Sequence, residues 1–431
     1  MHVAFGLLGL LIIGGLAAAA QPEPLSLEQA IAVAREHNRA ILGAGYALRA
    51  MEARKGLATA QRLPTARVLV GVQQSRYDQR LVPARRPNDP GVYGATIGSG
   101  DLVFSVPVYT GGRITADIAA AEAAVDATGL RYDRTRAEVT FAVSDLFSRI
   151  LAQRRLVEAV DFSRRAVAEH RERLSLLVTE QKAAKVDLLR LDVREADIEE
   201  RLVREHNTLS IQRRALSNVL GLDGGEIEIV GDLSPPDSAR CDFSSLLDTA
   251  YARRSDLHAQ QAQLTAQEQR VVFAGSYRLP SLALQGSWGV RTTPGPGNAA
   301  TEDLGAIGLV ADFTVFDGGK ITYREREESA RLDVERTALA DLRQRVRLEV
   351  ESAVLDCAAA RERIRALARS VALADETFAI ERDKHQLGAG TVLDVLDAQA
   401  SLLSAEAGYL RALADFHVAK ARLDLATERS K

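Results

Sequence analysis

Apolar residues along this chain keep two different periods, and the switch between them falls at two Gly-Gly pairs. In the run Ser281-Leu282-Ala283-Leu284-Gln285-Gly286-Ser287-Trp288-Gly289-Val290, Leu282, Leu284, Trp288 and Val290 fall on one face. Ser281, Gln285 and Ser287 fall on the other. Ile307, Leu309, Ala311, Phe313 and Val315 share a face opposite Gly308, Asp312 and Thr314, and Leu102, Phe104, Val106 and Val108 repeat that face earlier in the chain. The alternation predicts strands at about 65–77, 99–109, 280–292 and 303–316, paired across polar loops at 78–98 and 292–303. The second and fourth runs stop at Gly111-Gly112 and Gly318-Gly319, after which the apolar period lengthens to about 3.6. Glycine supplies the backbone freedom that a strand-to-helix corner needs. Helical patterns without Pro then cover 113–178 and 320–387, and returning ones cover 186–220 and 391–427. At 1.5 Å per residue, each longer helix reaches roughly 100 Å, far beyond an ordinary globular helix.

The chain is written twice. Gly111 and Gly318 lie 207 residues apart, as do Asp187 and Asp394, so the stretch between these anchors has one length in both copies. Pro64 and Pro280 are offset by 216, and the similar Ala32-Val33-Ala34-Arg35 and Ala250-Tyr251-Ala252-Arg253 by 218. A repeat near 200 residues is too long for a solenoid unit and reads as two fused halves. The expected organisation is a first repeat over 21–220, a connector over 221–242 and a second repeat over 243–431. Each half opens with a short helix, 26–38 and 244–254, then a second one, 39–61 and 257–277. Gly224 to Val230 reads as a short strand within the connector, ahead of Pro235-Pro236. Leu202, Leu209 and Leu216 recur at heptad spacing in the first returning helix, and Tyr409, Phe416 and Leu423 match them in the second. That spacing predicts coiled-coil-like packing of long antiparallel helices.

Composition narrows the class. The 431 residues carry 55 basic and 58 acidic side chains for a net charge of −3, which leaves no basic footprint for nucleic acid. Aromatics make up 5%. No run after residue 20 approaches the eighteen apolar residues of a membrane helix. Residues 1–20 are expected to be a signal peptide: Phe5 to Leu16 is apolar and ends in Ala17-Ala18-Ala19-Ala20-Gln21, although only His2 precedes it in place of a basic residue. No Cys stands at that cleavage site, so lipid attachment there is not expected. Cys241 and Cys357 make no disulfide framework, and Cys357 takes the place of Ile150 in the duplicate, as a small buried thiol would. The seven His residues (2, 37, 170, 206, 258, 385 and 417) lack ligand spacing. Gly318-Gly319-Lys320-Ile321-Thr322 lacks the upstream glycine and the Ser/Thr directly after Lys that a phosphate loop needs, and Gly43-Ala44-Gly45 is too little for a dinucleotide site. No catalytic residue, cofactor or metal is expected.

Strands of about ten residues with one apolar face suit a bilayer-crossing barrel. A half-buried sheet covered by helices is the alternative. Four strands cannot close a membrane barrel, whose smallest examples have about eight, so several chains must contribute, and three would supply twelve.

The opening from Leu25 to Ile41, the two Gly-Gly corners, the duplication and Gly390-Thr391-Val392-Leu393-Asp394-Val395-Leu396-Asp397-Ala398-Gln399 together resemble the TolC (outer-membrane efflux protein) family over essentially the whole mature chain. The resemblance implies a mainly α fold with a small β part. Duplicated long antiparallel helical hairpins would form a periplasmic α-barrel, and four strands per chain a trimeric twelve-stranded outer-membrane barrel. It implies an exit duct for small molecules such as drugs or metals, not a catalyst. The implied partners are two further copies of the chain, outer-membrane lipid, a periplasmic adaptor protein, and an inner-membrane pump or ATP-driven exporter. Protein secretion of the type I kind is the alternative cargo route, and a non-conducting periplasmic coiled-coil adaptor or tether the alternative class.

Asp394 and Asp397 are three residues apart, so they project from one helix face near the reversal. Three chains would gather six carboxylates around one opening, repelling one another unless cations or basic groups compensate. The resemblance implies acidic rings at the periplasmic entrance, and these two positions match that motif. Asp187 is the counterpart of Asp394, but Arg190 stands where Asp397 would be. The expectation is therefore a latch in which Arg190, with Lys185, pairs with Asp397 or Asp394 and holds the tip closed. His385 and Gly390 occupy the places where the family pattern has an aromatic and a basic residue. Two solvated acids on an exposed helix end are the plainer alternative.

Overall fold

In a computed structural model of the chain, residues 24–222, 227–235, 242–294, 300–387 and 389–429 are described. The expected signal peptide, Gly224 to Glu226, Cys241 and part of the second polar loop lie outside them. The elements run α1 (Leu27–His37), α2 (Arg39–Ala60), β1 (Thr65–Arg80), β2 (Tyr93–Tyr109), α3 (Arg113–Thr179), α4 (Lys185–Leu220), α5 (Phe243–Arg253), α6 (Ser255–Gly275), a 3-10 turn (Ser276–Arg278), β3 (Ser281–Thr293), β4 (Ala300–Asp312), α7 (Lys320–Gln386) and α8 (Val392–Thr427). Both α3 and α7 have 67 residues and both α4 and α8 have 36. The chain divides into two compact units, a reversal unit within Met1–Asn38, Val139–Arg240 and Ala353–Leu423, and a sheet unit within Arg39–Glu138, Cys241–Ser352 and Asp424–Lys431.

The sheet unit holds one antiparallel sheet in the order β1-β2-β3-β4, with β1 and β4 as free edges. Two strand limits differ from expectation. The first hairpin is longer, because β1 runs on to Arg80 and β2 already starts at Tyr93, with a register shift between Gln74 and Gln79. β4 ends at Asp312, so Phe313 and Val315 are not strand residues. The reason is the partner's length: Asp312 pairs with Ser281, the first residue of β3, and nothing beyond it is left to bond. At the corners Gly111, Gly112, Gly318 and Gly319 all have positive φ, 61°, 81°, 69° and 87°. Such backbone is costly for other L-residues, which is why glycine stands there.

The short opening helices align at 216, not 218. Their N-caps Ser26 and Asp242, their buried positions Ala30/Leu246 and Ala34/Ala250, and their C-caps Asn38 and Arg254 all keep that offset. The Ala-x-Ala-Arg similarity is two positions off the buried face. The equivalence extends to what the C-cap side chains bind. In the reversal unit Asn38 Nδ2 donates to the Val219 carbonyl at 2.7 Å, and in the sheet unit Arg254 Nη1 donates to the Ala426 carbonyl at 3.5 Å. Val219 and Ala426 are 207 apart. Arg254, 1% exposed, also pairs with Asp256 and Glu349 at 2.5 Å. Of the expected connector strand, Ile229 forms one parallel bridge with Leu25.

The core of the reversal unit follows heptad spacing. Leu156, Val160, Val167 and Leu174 of α3 bury against Leu191 and Ile198 of α4 and against Leu396, Leu403 and Ala407 of α8. Ala412, Leu413 and Phe416 of α8 bury against Ala360 and Ile364 of α7. Cys357 is a buried thiol in α7.

Candidate functional site

Strand pairing fixes which side chains share a face of the sheet. Val68 of β1, Leu102 of β2 and Trp288 of β3 lie in one row, and Leu284 lies between Val106 and Leu309 in another. Together with Val70, Val72, Phe104 and Ile307 they make one continuous apolar face, most of it exposed in the chain, Val70 at 82% and Ile307 at 70%. The opposite face is mixed, with Arg67, Gln73, Ser99, Asp101, Gln285, Ser287 and Arg291 set among Leu69, Ile97, Val103 and Val310. There Arg291 Nη1 meets Asp101 Oδ1 at 2.7 Å, across neighbouring strands. An apolar face of that extent is rare on a water-soluble monomer, and an apolar-out, polar-in alternation is the pattern of a membrane barrel wall. Among the described residues no helix is long and apolar enough to cross a membrane.

The sequence-predicted gate residues all lie in the reversal unit, where α4 and α8 begin. Asp187 and Asp394 each occupy the third position of their helix. Thr391 caps α8: its hydroxyl donates to Asp394 Oδ2 at 2.6 Å, its N–H donates to the same oxygen at 3.0 Å, and the Asp394 N–H returns a bond to its Oγ1 at 3.2 Å. This is a capping box, and those bonds from Thr391 hold the Asp394 carboxyl below the usual carboxylate range. Ala184, the counterpart of Thr391, makes no side-chain cap. Asp187 instead accepts from Arg190 Nη1 at 3.2 Å, one turn along its own helix. Within the one chain, among the described residues, Arg190 pairs with Asp187 and neither it nor Lys185 forms an ion pair with Asp394 or Asp397.

Asp397 and Arg190 nonetheless line one cleft of about 410 Å³, together with Arg194 and Asp197. Its apolar part is Val186, Leu189, Val193, Leu393 and Leu396, and the first four of these are exposed. A second, smaller cleft of about 160 Å³ lies against α3 and α7 and contains His170, Arg173, Arg382 and His385. His385 Nδ1 is 3.4 Å from the Gly390 carbonyl. Burial, with Arg173 and His385 nearby, pushes the His170 pKa down. Sequence reading passed over His170 because it has no spacing relation to His385; only the side-by-side placement of the C-terminal ends of α3 and α7 brings the two together. Among the described residues no group of His, Cys, Asp or Glu could hold a metal.

The family model for outer membrane efflux proteins matches this chain twice, over residues 30–221 and 246–428. The chain belongs to the outer membrane efflux protein family. That membership places it in the outer membrane, with its helical part in the periplasm. Nodulation protein T of Rhizobium leguminosarum bv. trifolii is 25% identical over an alignment 322 residues long that covers 71% of this chain and 66% of that protein. The chain thus spans slightly less than two thirds of the length of this curated relative. The outer membrane protein VceC of Vibrio cholerae superposes with a TM-score of 0.75 at 19% identity, covering 93% of this chain and 95% of that one. The CmeC outer membrane channel of Campylobacter jejuni does so with a TM-score of 0.76 at 15% identity, covering 93% and 85%. At such identities the likeness fixes the fold of this family member: mainly α, with long helical hairpins and a four-stranded sheet.

Proposed function

We propose that the chain forms a passive exit duct for small molecules across the outer membrane, working as a homotrimer. The observation that carries this is the open sheet. It has an exposed apolar face, a mixed opposite face and two free edges, and it feeds directly into two helices of 67 residues. Free edges seek partners, and copies of the same chain supply them, β4 of one against β1 of the next. Three copies give twelve strands, enough to enclose a channel. The fused repeats, 21–220 and 243–431, then contribute equivalent parts of one wall. In this reading transport depends on a periplasmic adaptor and an inner-membrane pump that load the duct. Cargo choice belongs to that pump.

The reversal is the gate in this reading. Asp394 shapes the start of α8, while Asp397 and Arg190, facing one cleft, and Asp187, held by Arg190, set the charge at the opening. Purified protein in planar lipid bilayers tests both levels. Conducting channels from a species of three chains in mass-resolved solution scattering are the expected result, and a non-conducting monomer would overturn the duct. Asp397→Ala should change conductance and its block by polyvalent cations; unchanged values for both would remove Asp397 from the gate.

A further inference from the structure

We propose that a basic cleft in the sheet unit, next to the strand-to-helix corners, binds a phosphate-type oxyanion carried on an apolar body. The cleft measures about 620 Å³ and is shared by α2, α3, α6, the 3-10 turn and α7. Arg54, Arg270 and Arg324 stand exposed along it, over the half-buried ring pair Phe273 and Tyr277. These rings meet edge to face with centroids 5.6 Å apart. Guanidiniums of Arg113 and Arg324 lie 5.1 and 5.2 Å from the Tyr277 ring centroid.

The charges do not balance. Of the two carboxylates lining the cleft, Glu328 is paired with Arg331 at 2.7 Å, and Asp117, which accepts from the neutral Gln61 amide at 2.7 Å, is the one negative charge left to set against the remaining arginines. Among the described residues no carboxylate lies within ion-pair distance of Arg54, Arg113, Arg270 or Arg324. With Arg113 over the Tyr277 ring, four guanidiniums stand against the single carboxylate of Asp117, an excess of positive charge at one place in a chain whose net charge is −3. Placement in the duplication adds to the case. Arg54 and Arg270 lie 216 apart, the offset that relates α1 to α5, so both copies put an arginine at this place. An oxyanion neutralises them, and planar guanidinium forks match phosphate oxygens two at a time. The aromatic floor accommodates what the phosphate is attached to.

Location names two sources of such a group. Arg113 follows Gly112 directly and Tyr277 precedes β3 by four residues, so the cleft begins where the sheet ends. If the sheet spans the membrane, as proposed above, this is the level of lipid headgroups, where basic and aromatic side chains gather around anionic lipids. The other source is an anionic solute in transit.

Native mass spectrometry of the full chain in detergent, with phosphatidylglycerol or phosphatidylcholine added, together with calorimetric titration by pyrophosphate, separates them. The comparison variants are Arg54→Gln/Arg270→Gln/Arg324→Gln, and the same three positions changed to Lys to keep the charge. If lipid is the source, the wild type retains phosphatidylglycerol over phosphatidylcholine. The Gln variant then loses that preference by roughly tenfold or more, and the Lys variant falls between. If solute is the source, pyrophosphate binds the wild type, fails on the Gln variant, and the two lipids are held equally. Equal behaviour of wild type and both variants toward all three probes overturns the proposal, and single Arg324→Gln and Arg324→Lys proteins give the same comparison where the triple changes do not fold. Bilayer conductance of the same wild-type protein reports on the duct separately, so loss of either reading leaves the other standing.

Discussion

The two Gly-Gly corners look alike in sequence but surround their glycines differently. A Cβ on Gly111 would come within 2.6 Å of the Leu279 Cβ and 3.1 Å of the Ser276 carbonyl oxygen, whereas one on Gly318 would meet nothing within 4 Å. Both have positive φ, 61° and 69°, so alanine at either carries the left-handed strain of about 1–2 kcal/mol. Only at Gly111 must neighbouring atoms also move. Gly318→Ala should therefore lower stability by about 1 kcal/mol and Gly111→Ala by clearly more, read as midpoints of urea unfolding. Equal losses would mean that the backbone angle alone decides. The two corners also cap their helices differently. Asp317 accepts from the N–H groups of Gly319 at 2.8 Å and Ile321 at 2.7 Å, while its counterpart Thr110 accepts from Ile114 at 3.4 Å. The glycines were legible because positive φ leaves few other residues possible. The crowding behind Gly111 was not, since Leu279 reaches it only through the fold.

At the scale of elements, the same limit hid how differently the two acids of the reversal are held. The acids were visible as a repeated Asp at 187 and 394, but a side chain's role as a cap depends on where its helix begins, and one residue changes it. Because Thr391 precedes α8 and Ala184 precedes α4, Asp394 is bound into a capping box and Asp187 is left to Arg190. Thr391→Ala should make the first turn of α8 exchange its amide protons several-fold faster, with no matching change in α4; an unchanged exchange rate would leave the box without a role. The histidine cleft has a pH dependence of definite sign. His170 faces Arg173 and Glu169 on α3, Arg382 and His385 on α7, and the apolar Leu191, Val392, Val395 and Leu396. Its depressed pKa means that the closed cleft prefers the neutral ring, so the opened chain binds the proton first as pH falls. Local stability is whole above the ordinary histidine value of about 6.5 and declines below it, until the depressed pKa is passed. Amide exchange around residues 167–177 and 382–396 should rise between about pH 7 and pH 5 in the wild type and stay flat in His170→Asn. A rise of equal size in the variant would place the sensor elsewhere.

For the whole molecule, the deciding property is whether the exposed face of the sheet meets lipid. Much of this was readable beforehand, since Leu102, Leu284 and Trp288 alternate with polar neighbours and a period of two cannot hide its face. What alternation could not supply was the cross-strand register, nor that β4 stops at Asp312 for want of a partner. Register now permits a sharper test, because Ile307 and Ala306 are adjacent in β4, yet one lies opposite Gly286 on the apolar face and the other opposite Ser287 on the mixed face. An arginine on a lipid-facing strand near the middle of a bilayer costs about 2–4 kcal/mol, while one facing a wet lumen costs little. Ile307→Arg should therefore reduce insertion and lower the urea midpoint of protein refolded into lipid vesicles. Ala306→Arg should insert normally and instead shift the ion selectivity of the conducting channel toward anions. The reverse outcome, tolerance at 307 and failure at 306, would put the apolar face against protein and end the barrel reading. Because both substitutions add the same charge at neighbouring positions of one strand, any difference between them reports the environment of the two faces and not the arginine itself.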